Sequence, residues 1–96
     1  MISKFNEFVD NSFSNKIISL IEDSENVNIS DPEIISQNDS YRQVVSFGEK
    51  SIPYIVERGK YLWNIALMEI TGIEPIGKKS SEIVNFWKNW AKENGY

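Results

Sequence analysis

The sequence contains neither cysteine nor histidine. Without cysteine, the chain can form no disulfide bond and has no thiolate to bind a metal or to attack a substrate. Without histidine, it has no imidazole to act as a general base or as a zinc ligand. These absences exclude Cys/His zinc sites, Ser-His-Asp and Cys-His nucleophiles, and imidazole acid–base catalysis. We therefore expect no cofactor and no bound metal.

Long apolar runs are also missing. No stretch approaches the ~18–20 consecutive apolar residues that cross a bilayer, and the first ten residues lack the basic start and apolar run of a signal peptide. The sequence therefore predicts a cytoplasmic protein without a membrane partner.

Positive charge is scarce in the first part of the chain. Residues 1–40 carry eight acidic side chains and two lysines, whereas residues 41–96 carry six acidic and eight basic side chains, and the net charge is −4. Proteins that bind nucleic acids usually concentrate lysine and arginine on one surface to neutralise phosphates. Nucleic-acid binding is therefore the least favoured function.

The residues that are present predict an all-α fold. Apolar residues recur at spacings of three and four over 2–22, and no stretch alternates as a strand would. The most apolar stretch is 61–68, in which only Asn64 is polar. Because a helix that is apolar on most sides packs against several neighbours, we predict a central helix near 60–71, ended by Gly72. The prediction is a compact HEAT-like bundle of about five to six short helices around it.

The pattern divides one domain, residues 1–96, into two parts. Residues 1–28 form an N-terminal helical segment and loop, in which 2–22 are either one helix with a weak centre or two short helices, the second capped by Ser14. The loop begins at Asp23. Residues 29–96 form the helical core.

Serine and asparagine predict where the core helices begin. Ser30 followed by Glu33 has the spacing of a capping box, and Asn38 is placed to cap the next helix. Ser80 or Ser81 is expected to cap the last one.

Several uncommon residues of the core occur in a familiar order. They are Tyr41-Arg42-Gln43-Val44-Val45-Ser46-Phe47-Gly48, Ile52-Pro53, Trp63 with Ala66-Leu67, Ile70-Thr71-Gly72, Pro75 and Trp87-x-x-Trp90. This order resembles a group of small bacterial proteins of unassigned function, with a pattern of roughly Tyr-x-x-Ile-Ile-x-Met-Gly, Leu-Pro, Trp, Ala-Leu, Ile-Thr-Gly-x-x-Pro and Trp-x-x-Trp. The chain departs from that pattern at Asn38-Asp39, where those proteins often have His-Pro.

The stretch from Gly48 to Ile70 is also similar to one HEAT-type helical repeat, of which the sequence shows no second copy. The two resemblances imply a fold and no activity, because function depends on sites and not on folds.

Three tryptophans, Trp63, Trp87 and Trp90, lie in phase with the apolar stripes of their predicted helices. Such residues can line a ligand cage, but the phase favours a role in the core. We therefore predict core packing for all three.

An acidic stretch provides the first candidate contact with a partner. Glu22, Asp23 and Glu25 fall within four positions, where like charges repel one another and favour a basic partner. The stretch fails as a calcium loop because Asn28 stands where the loop requires glycine. We predict that a protein partner docks here; the alternative is that these acids only keep a small protein soluble.

The only two arginines, Arg42 and Arg58, are the second candidate contact. Each could bind a partner's carboxylate through its guanidinium fork, or pair with a glutamate of the same chain. Glu69 and Glu74 are the carboxylates nearest the end of the central helix, and a buried carboxylate can act as a base.

Together these features predict a non-enzymatic module that binds another protein, either an immunity or antitoxin-like protein or an accessory subunit. The alternative is a metal-dependent enzyme that uses Glu69 or Glu74 as its base.

Overall fold

A computed structural model describes residues 2–27 and 31–96, with side chains described from Ser12 onward. The described residues contain six α-helices and no strand. The helices are α1 (Ile2–Glu25), α2 (Pro32–Ile35), α3 (Asp39–Ser46), α4 (Ile52–Arg58), α5 (Asn64–Thr71) and α6 (Ser80–Glu93), with short 3-10 turns at Gly48–Ser51 and Tyr61–Trp63. The all-α prediction is confirmed, and the HEAT-like arrangement stays a prediction.

Of the helices in these ranges, none combines the length and apolar character needed to traverse a bilayer.

The N-terminal segment is one continuous helix rather than two. Ser14 does not cap a second helix: its Oγ lies 2.6 Å from the hydroxyl of Tyr54 on α4. The helix also continues to Glu25, so the loop begins later than the expected Asp23. Polar residues with weak helix propensity stay helical here because tertiary packing outweighs propensity.

That packing comes from the C-terminal half of α1. Ile17 and Ile21 are buried in the core, and the Oγ of buried Ser24 donates to the Leu20 carbonyl at 2.9 Å. The predicted apolar side chains of the N-terminal half, at positions 2, 5 and 9, precede Ser12 and lie outside the side chains that the structure describes. The second half of α1 therefore anchors the helix to α3 and α4.

The starts of α2 and α3 follow from local capping. Asp31 caps α2 by accepting from the Glu33 amide at 3.0 Å, and Asn38 caps α3 by accepting from the Ser40 amide at 2.9 Å. The Asn38 cap agrees with the prediction. The predicted cap at Ser30 falls outside the described residues.

The start of α6 differs from the prediction. Ser80 is already the first residue of the helix, and neither it nor Ser81 caps it, since the N-cap position is Lys79 and no side chain caps the helix there. Instead Glu82 reaches back and accepts from the Lys78 amide at 3.1 Å. Its negative charge in the first turn also compensates the positive end of the α6 dipole.

The predicted central helix has two parts. Residues Tyr61–Trp63 form a 3-10 turn, and the α-helix proper is Asn64–Thr71. Gly72 ends it with a φ of 72°, the left-handed conformation that glycine adopts without steric cost. The prediction was therefore right in position and wrong in treating the first turn as α-helical.

A buried tyrosine hydroxyl holds this junction together. The Tyr41 hydroxyl donates to the Leu62 carbonyl at 2.7 Å and accepts from the Ala66 amide at 2.9 Å. The first amides of an α-helix have no partner within the helix, so the hydroxyl from α3 acts as a tertiary cap for α5. Burial raises the pKa of Tyr41, which therefore keeps its proton.

Buried apolar residues form a single core cluster. Its buried members are Ile17, Ile21, Ile35, Tyr41, Val44, Ile52, Ile55, Trp63, Ala66, Leu67 and Trp87. Trp63 stacks on Tyr41 with ring centroids 4.6 Å apart, and the Trp87 Nε1 donates to Asn64 Oδ1 at 2.8 Å. Trp90 is half-buried against the cluster, so the core prediction holds fully for Trp63 and Trp87.

Candidate functional site

The C-terminal end of α1 carries a buried carboxylate with three donor side chains around it. The Glu25 side chain is only 4% exposed. Its oxygens accept from Arg58 Nε at 3.1 Å, from Trp63 Nε1 at 3.0 Å and from Lys60 Nζ at 3.2 Å, and Arg58 Nη2 donates a further bond. Arg58 ends α4, Lys60 lies just before the following 3-10 turn, and Trp63 ends that turn. Glu25 therefore joins the end of α1 to a segment more than thirty residues later in the chain.

The electrostatics keep this carboxylate ionised. Burial alone would raise the pKa of Glu25, but the hydrogen bonds from Arg58, Trp63 and Lys60 outweigh it and hold the pKa below its ordinary value. The same bond to Glu25 raises the pKa of Arg58. The two cations also offset the negative end of the α1 dipole, beside which a carboxylate alone would be unfavourable. We call Glu25, Arg58, Lys60 and Trp63 the Glu25 cluster.

The three acidic residues predicted to contact a partner all lie in the last turn of α1, but their side chains have different surroundings. Glu22 and Asp23 are exposed, whereas Glu25 turns inward to the cluster. Positions 22 and 25 lie one helical turn apart and are neighbours on the helix surface, so the helical spacing does not show that only Glu25 is covered. The expected acidic surface therefore consists of Glu22 and Asp23, and the carboxylate of Glu25 is covered by the cluster.

The second arginine forms a similar pair at the surface. Arg42 Nη1 and Nη2 donate to the two oxygens of Glu69, each at 2.8 Å, and Nη1 also lies 3.3 Å from the Ser36 carbonyl. The side chains of Arg42 and Glu69 are 44% and 41% exposed. Both arginines thus follow the second alternative, a pair within the chain.

This pairing bears on the carboxylates considered for catalysis. The hydrogen bond from Arg42 lowers the pKa of Glu69, whereas a carboxylate that acts as a base near neutral pH has its pKa raised by an apolar site. Glu74 is exposed in the segment after α5. The structure therefore does not bring Glu69 and Glu74 into one buried site.

A groove between α2 and the start of α5 was not foreseen from the sequence. It has a volume of about 390 Å³ and is lined by Asp31, Pro32, Glu33, Tyr61, Asn64, Ile65 and Met68. A signal existed in the sequence: the side chains at 61, 65 and 68 share one helix face, different from the face of Trp63, Ala66 and Leu67. Because both faces of this helix carry apolar residues, the sequence alone could not show which face packs in the core and which lines the groove.

The comparisons with known proteins give no relative. No protein-family model matches this chain, and no curated protein or solved structure matches it significantly. The resemblance to the small bacterial proteins therefore stays a prediction.

Proposed function

We propose that the chain is a cytoplasmic, non-enzymatic module that binds a basic protein through Glu22 and Asp23. An immunity or antitoxin-like protein, which covers a basic partner, and an accessory subunit both fit this role. The observation that supports the proposal best is the contrast at the end of α1. One acid is neutralised inside the Glu25 cluster, and its two neighbours remain exposed on the same turn.

The cluster gives this surface a fixed position. Because Glu25 is bonded to both Arg58 and Trp63, the last turn of α1 is joined to α4 and to the turn before α5. A charged surface held in place loses less conformational freedom on binding than a flexible tail does. Exposed charges of one sign also accelerate association with an oppositely charged partner.

The state of Glu69 supports this proposal over the carboxylate-dependent enzyme. A base that is held charged by a bidentate arginine binds a proton less readily, and therefore abstracts one less effectively.

The experiment begins with affinity purification of the tagged protein from its native host, with mass spectrometry to identify the partner. The association rate is then measured at low and high salt for the wild type and for Glu22→Gln/Asp23→Asn. We expect salt to slow association of the wild type, because the screening length falls from ~10 Å at 0.1 M to ~3 Å at 1 M. The double variant should associate more slowly and respond less to salt.

A charge-matched control removes two other exposed acids, as Glu49→Gln/Glu93→Gln. This control should retain most of the wild-type rate. An association rate that is indifferent to both salt and the Glu22/Asp23 change would show that these acids are only solvated surface.

A further inference from the structure

The segment between α5 and α6 holds one isoleucine out in solvent. Ile76 is 82% exposed, the highest exposure among the large apolar residues of the described chain. Before it, Ile73 packs against the core, and the Ile73 amide donates to Thr71 Oγ1 at 3.1 Å. We call residues 73–79 the Ile76 loop.

The other end of the Ile76 loop is also fixed. The Lys78 amide donates to Glu82 at 3.1 Å, and at Gly77 an added Cβ would come within 3.0 Å of the Glu82 Cβ, so the backbone lies directly against α6. Ile76 is thus presented between two anchors. The exposed lysines Lys78 and Lys79 follow it.

The groove between α2 and α5 has the complementary features. Its apolar part is formed by Tyr61, Ile65 and Met68, and Asp31 and Glu33 stand exposed at its edge. Among the described residues, no basic side chain lines it. The nearest lysine in sequence, Lys60, is bonded to Glu25.

Asn64 adds a polar group to the groove. The indole N–H of Trp87 can only donate, so it fixes the amide oxygen of Asn64 toward Trp87 and leaves Nδ2 on the other side. Nδ2 lies 3.4 Å from the Met68 sulfur, which is a weak acceptor, and no oxygen of the described residues accepts from it. Asn64 is 9% exposed. A ligand that brings a carbonyl oxygen here would satisfy this donor.

We propose that the Ile76 loop of one copy of the chain docks in the groove of a second copy. Ile76 covers the apolar part, Lys78 and Lys79 meet Asp31 and Glu33, and a backbone carbonyl of the loop accepts from Asn64. The contact uses neither Glu22 nor Asp23 and is independent of the proposed function. The net charge of −4 opposes association of two copies, but at physiological salt this repulsion is screened beyond ~8 Å.

Such a contact is small and therefore weak. One loop in one groove falls well below the ~1,200 Å² of a stable interface, and we expect a dissociation constant of about 0.1–1 mM. Because both ends of the loop are already ordered, little conformational entropy is lost on docking.

The first test measures translational diffusion by NMR from about 0.05 to about 2 mM, concentrations that bracket this affinity. Wild-type diffusion should slow as concentration rises. It should stay constant for a loop variant, Ile76→Asp/Lys78→Glu/Lys79→Glu, and for a groove variant, Ile65→Lys/Glu33→Lys. All five positions lie outside the buried core. Reversal of two lysines elsewhere, Lys88→Glu/Lys92→Glu, should leave self-association intact.

The second test mixes the two broken variants. The ¹⁵N-labelled loop variant keeps its groove, and the unlabelled groove variant keeps its loop, so the mixture can form one contact and stop at a pair. The side-chain amide of Asn64 in the labelled protein should shift on mixing, and it should not shift when unlabelled loop variant is added instead.

Constant diffusion of the wild type over the whole range would overturn the proposal. So would association that survives in both variants, or a mixture in which the Asn64 amide does not move. Unchanged far-UV dichroism of each variant establishes that the loss of association does not come from unfolding.

Discussion

The two arginine–glutamate pairs of this molecule have the same chemistry and opposite settings. The carboxylate of Glu25 is 4% exposed and binds Arg58, Lys60 and Trp63, whereas that of Glu69 is 41% exposed and binds Arg42 alone. An exposed pair contributes little to stability, because water solvates both charges as well when they are apart. Water cannot solvate a buried carboxylate in this way, so its charge is stabilised by the protein groups that donate to it.

The difference shows what each pair does for the fold. Arg42 and Glu69 connect α3 to α5, which are already joined by the bond from the Ala66 amide to the Tyr41 hydroxyl. The Glu25 cluster joins the end of α1 to α4 and to the turn before α5. We infer that Glu25 contributes to the stability of the fold, and that the Arg42–Glu69 pair is a surface ion pair that contributes little to it. Four measurements test this difference between the two pairs.

The largest effect is expected for Trp63→Ala. Trp63 is fully buried, stacks on Tyr41 and donates to Glu25. Truncation of a buried tryptophan costs about 3–5 kcal/mol, against a total of about 5–15 kcal/mol for a small domain. The variant should be marginal or unfolded, as measured by urea denaturation and near-UV dichroism.

Trp63→Phe is the matched control, since it keeps an aromatic ring on Tyr41 and removes the N–H. It should fall between the wild type and Trp63→Ala. A Trp63→Ala protein with an unchanged urea midpoint would contradict the buried position of this side chain and weaken the account of the Glu25 cluster.

Glu25→Gln should have the next largest effect. The substitution preserves size and removes the charge that Arg58 and Lys60 bind. The cations it leaves unpaired are 35% and 51% exposed and are solvated in part, so the cost should fall below that of an uncompensated buried charge. We expect about 1.5–3 kcal/mol, the range for hydrogen bonds to a charged group, measured by urea denaturation at pH 7. A cost near zero would place Glu25 in the same class as Glu69.

The pH dependence of stability tests the charge of Glu25 directly, because acid protonates this carboxylate without any substitution. The pKa of Glu25 is lower in the folded chain than its ordinary value, so its contribution is fully present above the unfolded pKa of ~4.3 and is lost as pH falls through the folded pKa. The unfolding free energies of wild type and Glu25→Gln should therefore differ most above pH ~4.3 and converge as the pH falls through the acidic range below it. A difference that is constant over this range would contradict the assignment.

The sequence was sufficient for the parts of the fold that depend on local pattern. Helical spacing predicted the helices, and Gly59 and Gly72 predicted two of their ends, both with positive φ. Asn38 predicted a cap because the capping interaction spans only two residues. The 3-10 turn before α5 could not be predicted in this way, because it depends on the hydroxyl of Tyr41, twenty-one residues before Leu62.

The candidate sites depended even more on distant contacts. Glu22, Asp23 and Glu25 look alike in sequence, and only the positions of Arg58 and Trp63, more than thirty residues later, show that Glu25 is internal. The groove needs α2 placed beside α5, and its Asp31 and Glu33 are otherwise ordinary residues at the start of a helix. Contacts with residues distant in sequence therefore decide which acidic side chains are structural and which lie on the surface.

Glu69→Gln is expected to have the smallest effect, and it completes the comparison. Both partners of this pair are more than 40% exposed, and an exposed ion pair contributes about 0–1 kcal/mol. The loss in unfolding free energy should therefore stay below about 1 kcal/mol at low salt, even though the pair is bidentate, and Arg42 would keep its contact with the Ser36 carbonyl. Repeating the measurement in about 1 M NaCl should remove the remaining difference from wild type, because salt screens exposed charges more than buried ones. The cost of Glu25→Gln should persist in the same salt. If Glu69→Gln cost as much as Glu25→Gln, or if its cost survived high salt, exposure would not be what separates the two pairs, and the Arg42–Glu69 link would have to be structural as well.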